Sequence, residues 1–166
     1  MATHDRRVSE VSARDPEVRA LVDALTDELA LGGYTAEQTF GYTPTELEQS
    51  GVYLVGVRAA GGLVGVGGID VQPAGLGELK RFYVHPAQRG TGVGDALMAG
   101  VLEHASAQGV RLVRLETGDK QHAAIRFYRR HGFSATPRFP PYTGSETSVC
   151  MQRQLASAPA KDDGAV

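Results

Sequence analysis

Gln88-Arg89-Gly90-Thr91-Gly92-Val93-Gly94-Asp95 stands between two strongly patterned segments. Before it, Glu78 to Val84 reads as a strand ended by His85-Pro86. After it, Val93, Leu97, Val101 and Ala105 recur as one helical stripe, with Met98 and Leu102 beside it. Glycines at such a junction let the backbone turn tightly and approach a ligand. The helix that follows aims its free N–H groups and its positive dipole end at the same spot. A phosphate or pyrophosphate suits that place; a tight strand-to-helix turn without a ligand is the plainer alternative. Two phosphate motifs are excluded by residue. A P-loop needs Gly-Lys-Ser/Thr, and the stretch has no Lys. In a G-x-G-x-x-G fingerprint the sixth place would be Asp95 counted from Gly90, or Leu97 counted from Gly92.

Upstream, Val52 to Val57, Leu63 to Val71 and Glu78 to Val84 read as three strands joined by turns at Gly61-Gly62 and Pro73 to Gly77, an antiparallel meander. Gly65, Gly67 and Gly68 predict a bulge or a close backbone approach in the second of these. Still earlier, Arg6 to Val11 alternates weakly as a short strand. Asp15-Pro16 starts a helix carrying Val18, Leu21, Val22, Leu25 and Leu29, which Gly32-Gly33 closes. Thr43-Pro44 with Glu46 and Glu48 predicts a short second helix. Downstream, Gly109 ends the loop helix, Leu112 to Thr117 is a strand, and His122 to Arg130 is a helix ended by Gly132. Phe133 to Thr136 and Ser148 to Leu155 read as further strands. The expected class is α+β: a single domain over 1–155 with a mixed, mostly antiparallel sheet and about four helices. The tail 156–166 is expected to be disordered.

The chain has 166 residues, with 17 Lys+Arg against 19 Asp+Glu, a net charge of −2. That argues against a non-specific grip on nucleic acid or anionic lipid. A single cysteine, Cys150, excludes an internal disulfide framework and a Cys-based zinc cluster. His85, His104, His122 and His131 are not at metal-ligand spacing, and no metal is expected. There is no 20-residue apolar run, and Met1 to Arg7 is polar with no signal-peptide core after it. The expectation is a cytoplasmic protein without nucleic-acid or membrane partners, with a homodimer left open.

Arg89-x-x-Gly92-x-Gly94 resembles the acetyl-coenzyme A signature of the GNAT superfamily of N-acetyltransferases, Q/R-x-x-G-x-G/A. Tyr83-Val84-His85-Pro86 resembles the strand end that precedes this signature. Ala124-Ile125-x-x-Tyr128-x-x-x-Gly132-Phe133 resembles the family's second block, in the same order and on matching elements. The resemblance runs over roughly 52–155. It implies a bacterial-type acyltransferase using acetyl-CoA, on a sheet that splays after the loop helix to admit the donor. It also implies that the backbone of Phe82, Tyr83 and Val84 pairs with the pantetheine arm. The N–H groups of Arg89, Gly90, Thr91, Gly92, Val93 and Gly94 would cradle the pyrophosphate. Gln121 stands where many members carry Asn, a departure that makes it a weaker cofactor contact.

Transfer to an amine needs a proton acceptor for the ammonium and a proton donor for the leaving thiolate. Tyr128 matches the family's catalytic tyrosine; a core Tyr with a satisfied hydroxyl is the structural alternative. Two carboxylates compete as base. Glu116, twelve residues before Tyr128, resembles the base of the branch acetylating ribosomal-protein N-termini. Glu78 resembles the base of the histone-acetylating branch, and strand alternation puts it on the face of Lys80, Phe82 and Val84. Either could instead be a strand carboxylate paired with Arg114, Lys80 or Arg81. Cys150 reads as a buried strand residue. Arg126, Arg129, Arg130 and Arg138 read as a solvated face, with the 3′-phosphate of coenzyme A as the alternative. The leading function is acetyl transfer to a small primary amine by direct attack in a ternary complex. The alternatives are a protein N-terminal or lysine acetyltransferase and a non-catalytic acyl-CoA-binding module. Segments 30–50 and 137–147, with Tyr34, Phe40, Tyr42 and Phe139 to Gly144, are expected to meet the acceptor and to suit a cationic or amphipathic amine.

Overall fold

The computed structural model describes residues 5–156. The tail foreseen from Ala156 therefore lies, from position 157 on, outside the described residues. In chain order the elements are β1 (Arg7–Val11), α1 (Pro16–Leu31), α2 (Pro44–Gln49), β2 (Tyr53–Ala59), β3 (Gly62–Gln72), β4 (Leu76–Val84), α3 (Val93–Ala107), β5 (Leu112–Gly118), α4 (His122–Arg130), β6 (Ser134–Ala135) and β7 (Ser148–Gln154). Single 3₁₀ turns cover Ala36–Gln38, Pro73–Gly75 and Pro86–Gln88; the first lies in a segment whose sequence carries little pattern.

Local chemistry accounts for the helix starts. The Asp15 carboxylate accepts from the Glu17 amide with Pro16 in the first turn of α1, as the cap rule requires. Thr43 and Glu46 close a reciprocal capping box at α2. The seven strands form one sheet in the order β1-β2-β3-β4-β5-β7-β6. All neighbours are antiparallel except β4 and β5, which α3 joins as a crossover. Two apolar clusters pack against the sheet. One gathers Val93, Leu97, Met98, Val101 and Ala105 of α3 with Leu79, Val113, Leu115 and Tyr128. The other gathers Val18, Leu21 and Val22 of α1 with Leu47, Leu54, Val66 and Tyr83. Among the described residues no helix is long and apolar enough to cross a membrane.

The glycine-rich middle of β3 is irregular as expected, but half of the irregularity belongs to its partner. Against β2 the register slips at Val64. Against β4, Val66 pairs with Tyr83 and Gly68 with Lys80, so Gly67 alone faces both Arg81 and Phe82. Arg81 takes φ +50° and sends its guanidinium to the Val22 carbonyl and the Thr26 hydroxyl of α1. The space opposite admits only glycine, since a Cβ on Gly67 would stand 2.8 Å from the Phe82 ring. An extra residue reverses the side-chain alternation beyond it. The strand reading that put Glu78 on one face with Lys80, Phe82 and Val84 is corrected here. Phe82 and Val84 pack with Leu79 in the α3 cluster, whereas Glu78 and Lys80 bond to each other on the other side.

Candidate active site

Side by side, β4 and β5 pair through only three residue pairs, Leu76↔Leu112, Gly77↔Val113 and Glu78↔Arg114. Beyond Glu78 they diverge into a wedge-shaped cleft. Lys80, Arg81 and Phe82 line it from β4, and Leu115, Glu116 and Thr117 from β5. Gln121, Ala124 and Tyr128 close it from α4, and Leu25, Leu29 and Phe40 from the α1 side. Tyr34 spans the opening. Its hydroxyl donates to Asp119 (3.0 Å) and accepts from the Lys120 amide (2.7 Å).

The glycine loop sits where β4 leaves the sheet. Gly90 and Gly92 take φ of +76° and +89°, which non-glycine residues rarely adopt. No side chain caps α3, and among the described residues the amides from Gly90 to Asp95 meet no acceptor. A Cβ on Gly90 would enter open space, and one on Gly94 would meet the Phe127 ring at 3.0 Å. Arg89 does not face this cradle with its charge. Its guanidinium holds Glu28 of α1 by two bonds, 3.0 and 2.7 Å, and donates to the Val84 carbonyl. That ion pair keeps the Glu28 carboxyl below the usual carboxylate range. Arg6, before β1, reaches the Thr91 carbonyl from the other side.

The two candidate carboxylates differ sharply. Glu78 is 5% exposed. Its Oε1 accepts from the Tyr142 hydroxyl at 2.5 Å and from Lys80 Nζ at 3.0 Å, and its Oε2 from Gln72 at 3.4 Å. Lys80 Nζ also donates to Tyr142 at 3.2 Å and stands 5.1 Å from the centre of the Tyr42 ring. Glu116 has one donor, the Ser148 hydroxyl at 2.9 Å. Burial first, and the Glu78 charge last, push its carboxyl up to about 6 against the opposing pull of Ser148 and Lys80. Tyr128 is 8% exposed, and among the described residues its hydroxyl has no hydrogen-bond partner. Burial, then the Glu116 charge, raise it above the usual phenol value, so it holds its proton across the physiological range.

The remaining candidates fall away from the chemistry or stay at its rim. Phe82, Tyr83 and Val84 end β4; Phe82 lines the cleft, Tyr83 is buried in the α1 cluster and Val84 packs against the α3 cluster. Gln121 is the N-cap residue of α4 without a side-chain cap bond. His85 accepts from the Ala87 amide. Arg130 and His131 both bind Asp95, and Arg138 ties down the carbonyls of Glu146 and Ser148. Cys150 is buried beside Phe139 and Tyr142, and burial raises its thiol, which makes it a poor nucleophile. Among the described residues no group of three His, Cys, Asp or Glu could hold a metal. Sequence reasoning missed Ser148 and Glu28 as members of the site, because each is recruited by a residue more than thirty positions away. Lys80 pairs with Glu78 two positions along β4, the carboxylate–lysine pairing that the sequence offered as an alternative.

Residues 18–133 match the family model described as the Acetyltransferase (GNAT) family. An "IAA acetyltransferase" of Azospirillum brasilense is 33% identical over 147 residues, spanning 86% of this chain and 96% of that protein. A crystal structure from Klebsiella pneumoniae, described as that of an acyl-CoA N-acyltransferase, is 31% identical. It superposes with a TM-score of 0.73 over 92% of this chain and 99% of its own. The PaiA N-acetyltransferase of Thermoplasma acidophilum, crystallised with coenzyme A, shares the fold at TM-score 0.75 and 16% identity, covering 91% and 99%. With the family model spanning most of the sheet, the glycine loop and α4, the chain belongs to the GNAT family of acetyltransferases and is an acyltransferase.

Proposed function

We propose that the enzyme moves an acetyl group from acetyl-CoA to the primary amine of a small molecule by direct attack, donor and acceptor bound together. One observation carries this reading: Glu116 and Tyr128, among the described residues a half-satisfied carboxylate and an unpartnered phenol, line the same cleft.

The residues present fit acetyl-CoA. The six free amides from Gly90 to Asp95 form an anion cradle at the positive end of α3. The open space at Gly90 gives a diphosphate room to approach. Beyond Glu78 the β5-facing edge of β4 has no strand partner, leaving backbone groups around Phe82 to Val84 for the amides of a pantetheine arm. When bound, the donor supplies an activated thioester. The chain's own residues then do the proton chemistry. Glu116 takes the proton from the acceptor ammonium, directly or through water, and Tyr128 supplies one to the departing sulfur. Glu116 is favoured over Glu78 because both Glu78 oxygens are already engaged. A buried carboxylate with an unused oxygen is the better proton acceptor.

The test is a primary-amine panel with acetyl-CoA, read by release of free thiol. Amine-dependent release that Glu116→Gln and Tyr128→Phe both suppress supports the reading. Tight acetyl-CoA binding with no release for any amine would instead make the chain an acyl-CoA-binding module.

A further inference from the structure

We propose that the acceptor is an amine with a single positive charge on an apolar or aromatic body, and that Lys80 turns away acceptors with a second charge. The proposal rests on the amine-acetylating reading above and deepens it.

Three buried or half-buried charges stand at the acceptor end, while a fourth, Arg114, is stacked on the Phe139 ring at 4.1 Å outside the cleft lining. Glu78 and Glu116 are negative and Lys80 is positive; the Lys80 and Glu78 side chains are only 11% and 7% exposed. Lys80 neutralises Glu78 at 3.0 Å, with Tyr142 as a shared partner. Glu116 feels the Lys80 charge at a distance but, among the described residues, has no ion pair of its own, so one incoming ammonium completes the balance. A second ammonium finds no such place. The cation-attracting ring faces of Tyr42 and Tyr142 are already taken by Lys80 Nζ, at 5.1 and 5.9 Å. Arg81 lies alongside with its charge turned into α1. Leu25, Leu29 and Phe40 offer apolar surface to the body of an acceptor, interspersed with the uncharged polar side chains of Gln38, Thr39, Thr117 and Gln121. Phe40 and Phe139 stand edge-on to Tyr142 at 5.1 and 5.2 Å, which holds the Tyr142 hydroxyl on Glu78 and Lys80. In a cleft partly shielded from water, like charges repel more strongly than in bulk solvent.

The experiment compares n-pentylamine with 1,4-diaminobutane, which match in length and differ by one terminal charge, and adds 2-phenylethylamine. Each is titrated calorimetrically into the protein saturated with coenzyme A, so that binding is read without turnover, and each is then assayed with acetyl-CoA. Both monoamines should bind at least about tenfold more tightly than the diamine. Lys80→Arg should keep the preference and Lys80→Gln should reduce it to below about threefold. If Lys80→Gln does not fold, Glu78→Gln/Lys80→Gln replaces it, since that pair is neutral and retains hydrogen-bonding groups. Equal affinity of wild type for pentylamine and the diamine overturns the proposal, as does a preference that survives the loss of Lys80. A binding preference without acetylation leaves the specificity standing and removes the transfer reading. Acetylation of monoamine and diamine alike does the reverse.

Discussion

The Ser148 hydroxyl donates to the Glu116 carboxylate at 2.9 Å, from β7 to β5, and no other group among the described residues shares that carboxylate. Glu116 is therefore buried, singly bonded and raised to about 6. If Glu116 is the base, kcat/KM should climb with pH through about 6, where it becomes a carboxylate. Glu116→Gln should lower the rate by about 10²–10⁴-fold near neutral pH. The deficit should shrink at high pH, where the free amine is abundant. A pH-independent deficit would make Glu116 structural, and a full rate with loss in Glu78→Gln would transfer the role to Glu78.

The same burial has a cost in stability. A carboxyl raised from 4.5 to about 6 in the fold contributes fully below the lower value. That contribution is lost as pH rises through about 6. Glu116→Gln should thus be more stable than wild type by about 1–2 kcal/mol at pH 8, and equal to it near pH 4.5. Urea unfolding at the two pH values measures the difference; a less stable variant at pH 8 contradicts it.

For Glu78 the sign is opposite. Its charge is the counter-ion of a buried Lys80, and removing one partner of such a pair typically costs about 3–5 kcal/mol. Glu78→Gln should lower Tm markedly where Glu116→Gln raises it. A neutral effect of Glu78→Gln would mean that Lys80 turns to Glu116 instead.

Tyr128→Phe removes a hydroxyl that bonds no partner among the described residues and keeps a ring in edge contact with Phe82, Phe127 and Phe133. Tm and acetyl-CoA affinity should barely change, while kcat falls about 10²–10⁴-fold. The fall should be smaller for a thioester whose thiol is more acidic. An unchanged kcat means that water or another group protonates the sulfur.

Gly92→Val adds a branched side chain at φ +89° against the Arg6 guanidinium, beside the amides proposed to hold a diphosphate. Acetyl-CoA affinity should drop at least about tenfold by calorimetry. Gly109→Ala, at φ +78° with open space around it, introduces comparable backbone strain away from the cleft. It should cost stability and leave affinity intact. A wild-type affinity in Gly92→Val would remove the loop from the donor site.

The legible parts of this fold are those whose chemistry is local. Asp15-Pro16 and Thr43-Pro44-Thr45-Glu46 specify their helix starts within four residues, and Gly90 to Gly94 specify their turn. The bulge at Arg81 has no such signature. An arginine at φ +50° is stabilised by Val22 and Thr26 of α1 and by the missing side chain of Gly67. Alternation read along β4 therefore assigned Phe82 and Val84 to the wrong face. The site divides in the same way. The glycine loop, Tyr128 and both glutamates stand out in the sequence as residue types on patterned elements. The difference between Glu78 and Glu116 does not, because it is made by Lys80, Tyr142 and Ser148. Tyr142 arrives on the Phe139-Pro140-Pro141-Tyr142 turn, sixty-four positions from the carboxylate that it bonds.

Three residue pairs join β4 to β5, and the rest of that boundary is cleft. The molecule is thus two leaves with a short backbone seam, β1 to β4 with α1 to α3 and β5 to β7 with α4, sharing the α3 cluster on one face and clasped across the mouth by Tyr34. A leaf attached by so few rungs can open with less free energy than the whole chain needs to unfold. Amide exchange in β5 and β7 should then outpace that in β2 and β3. A ligand seated between the leaves, touching both, fuses two cooperative units into one. Its signature in solution is a single sharper unfolding transition, with the exchange rates of the two leaves drawn together.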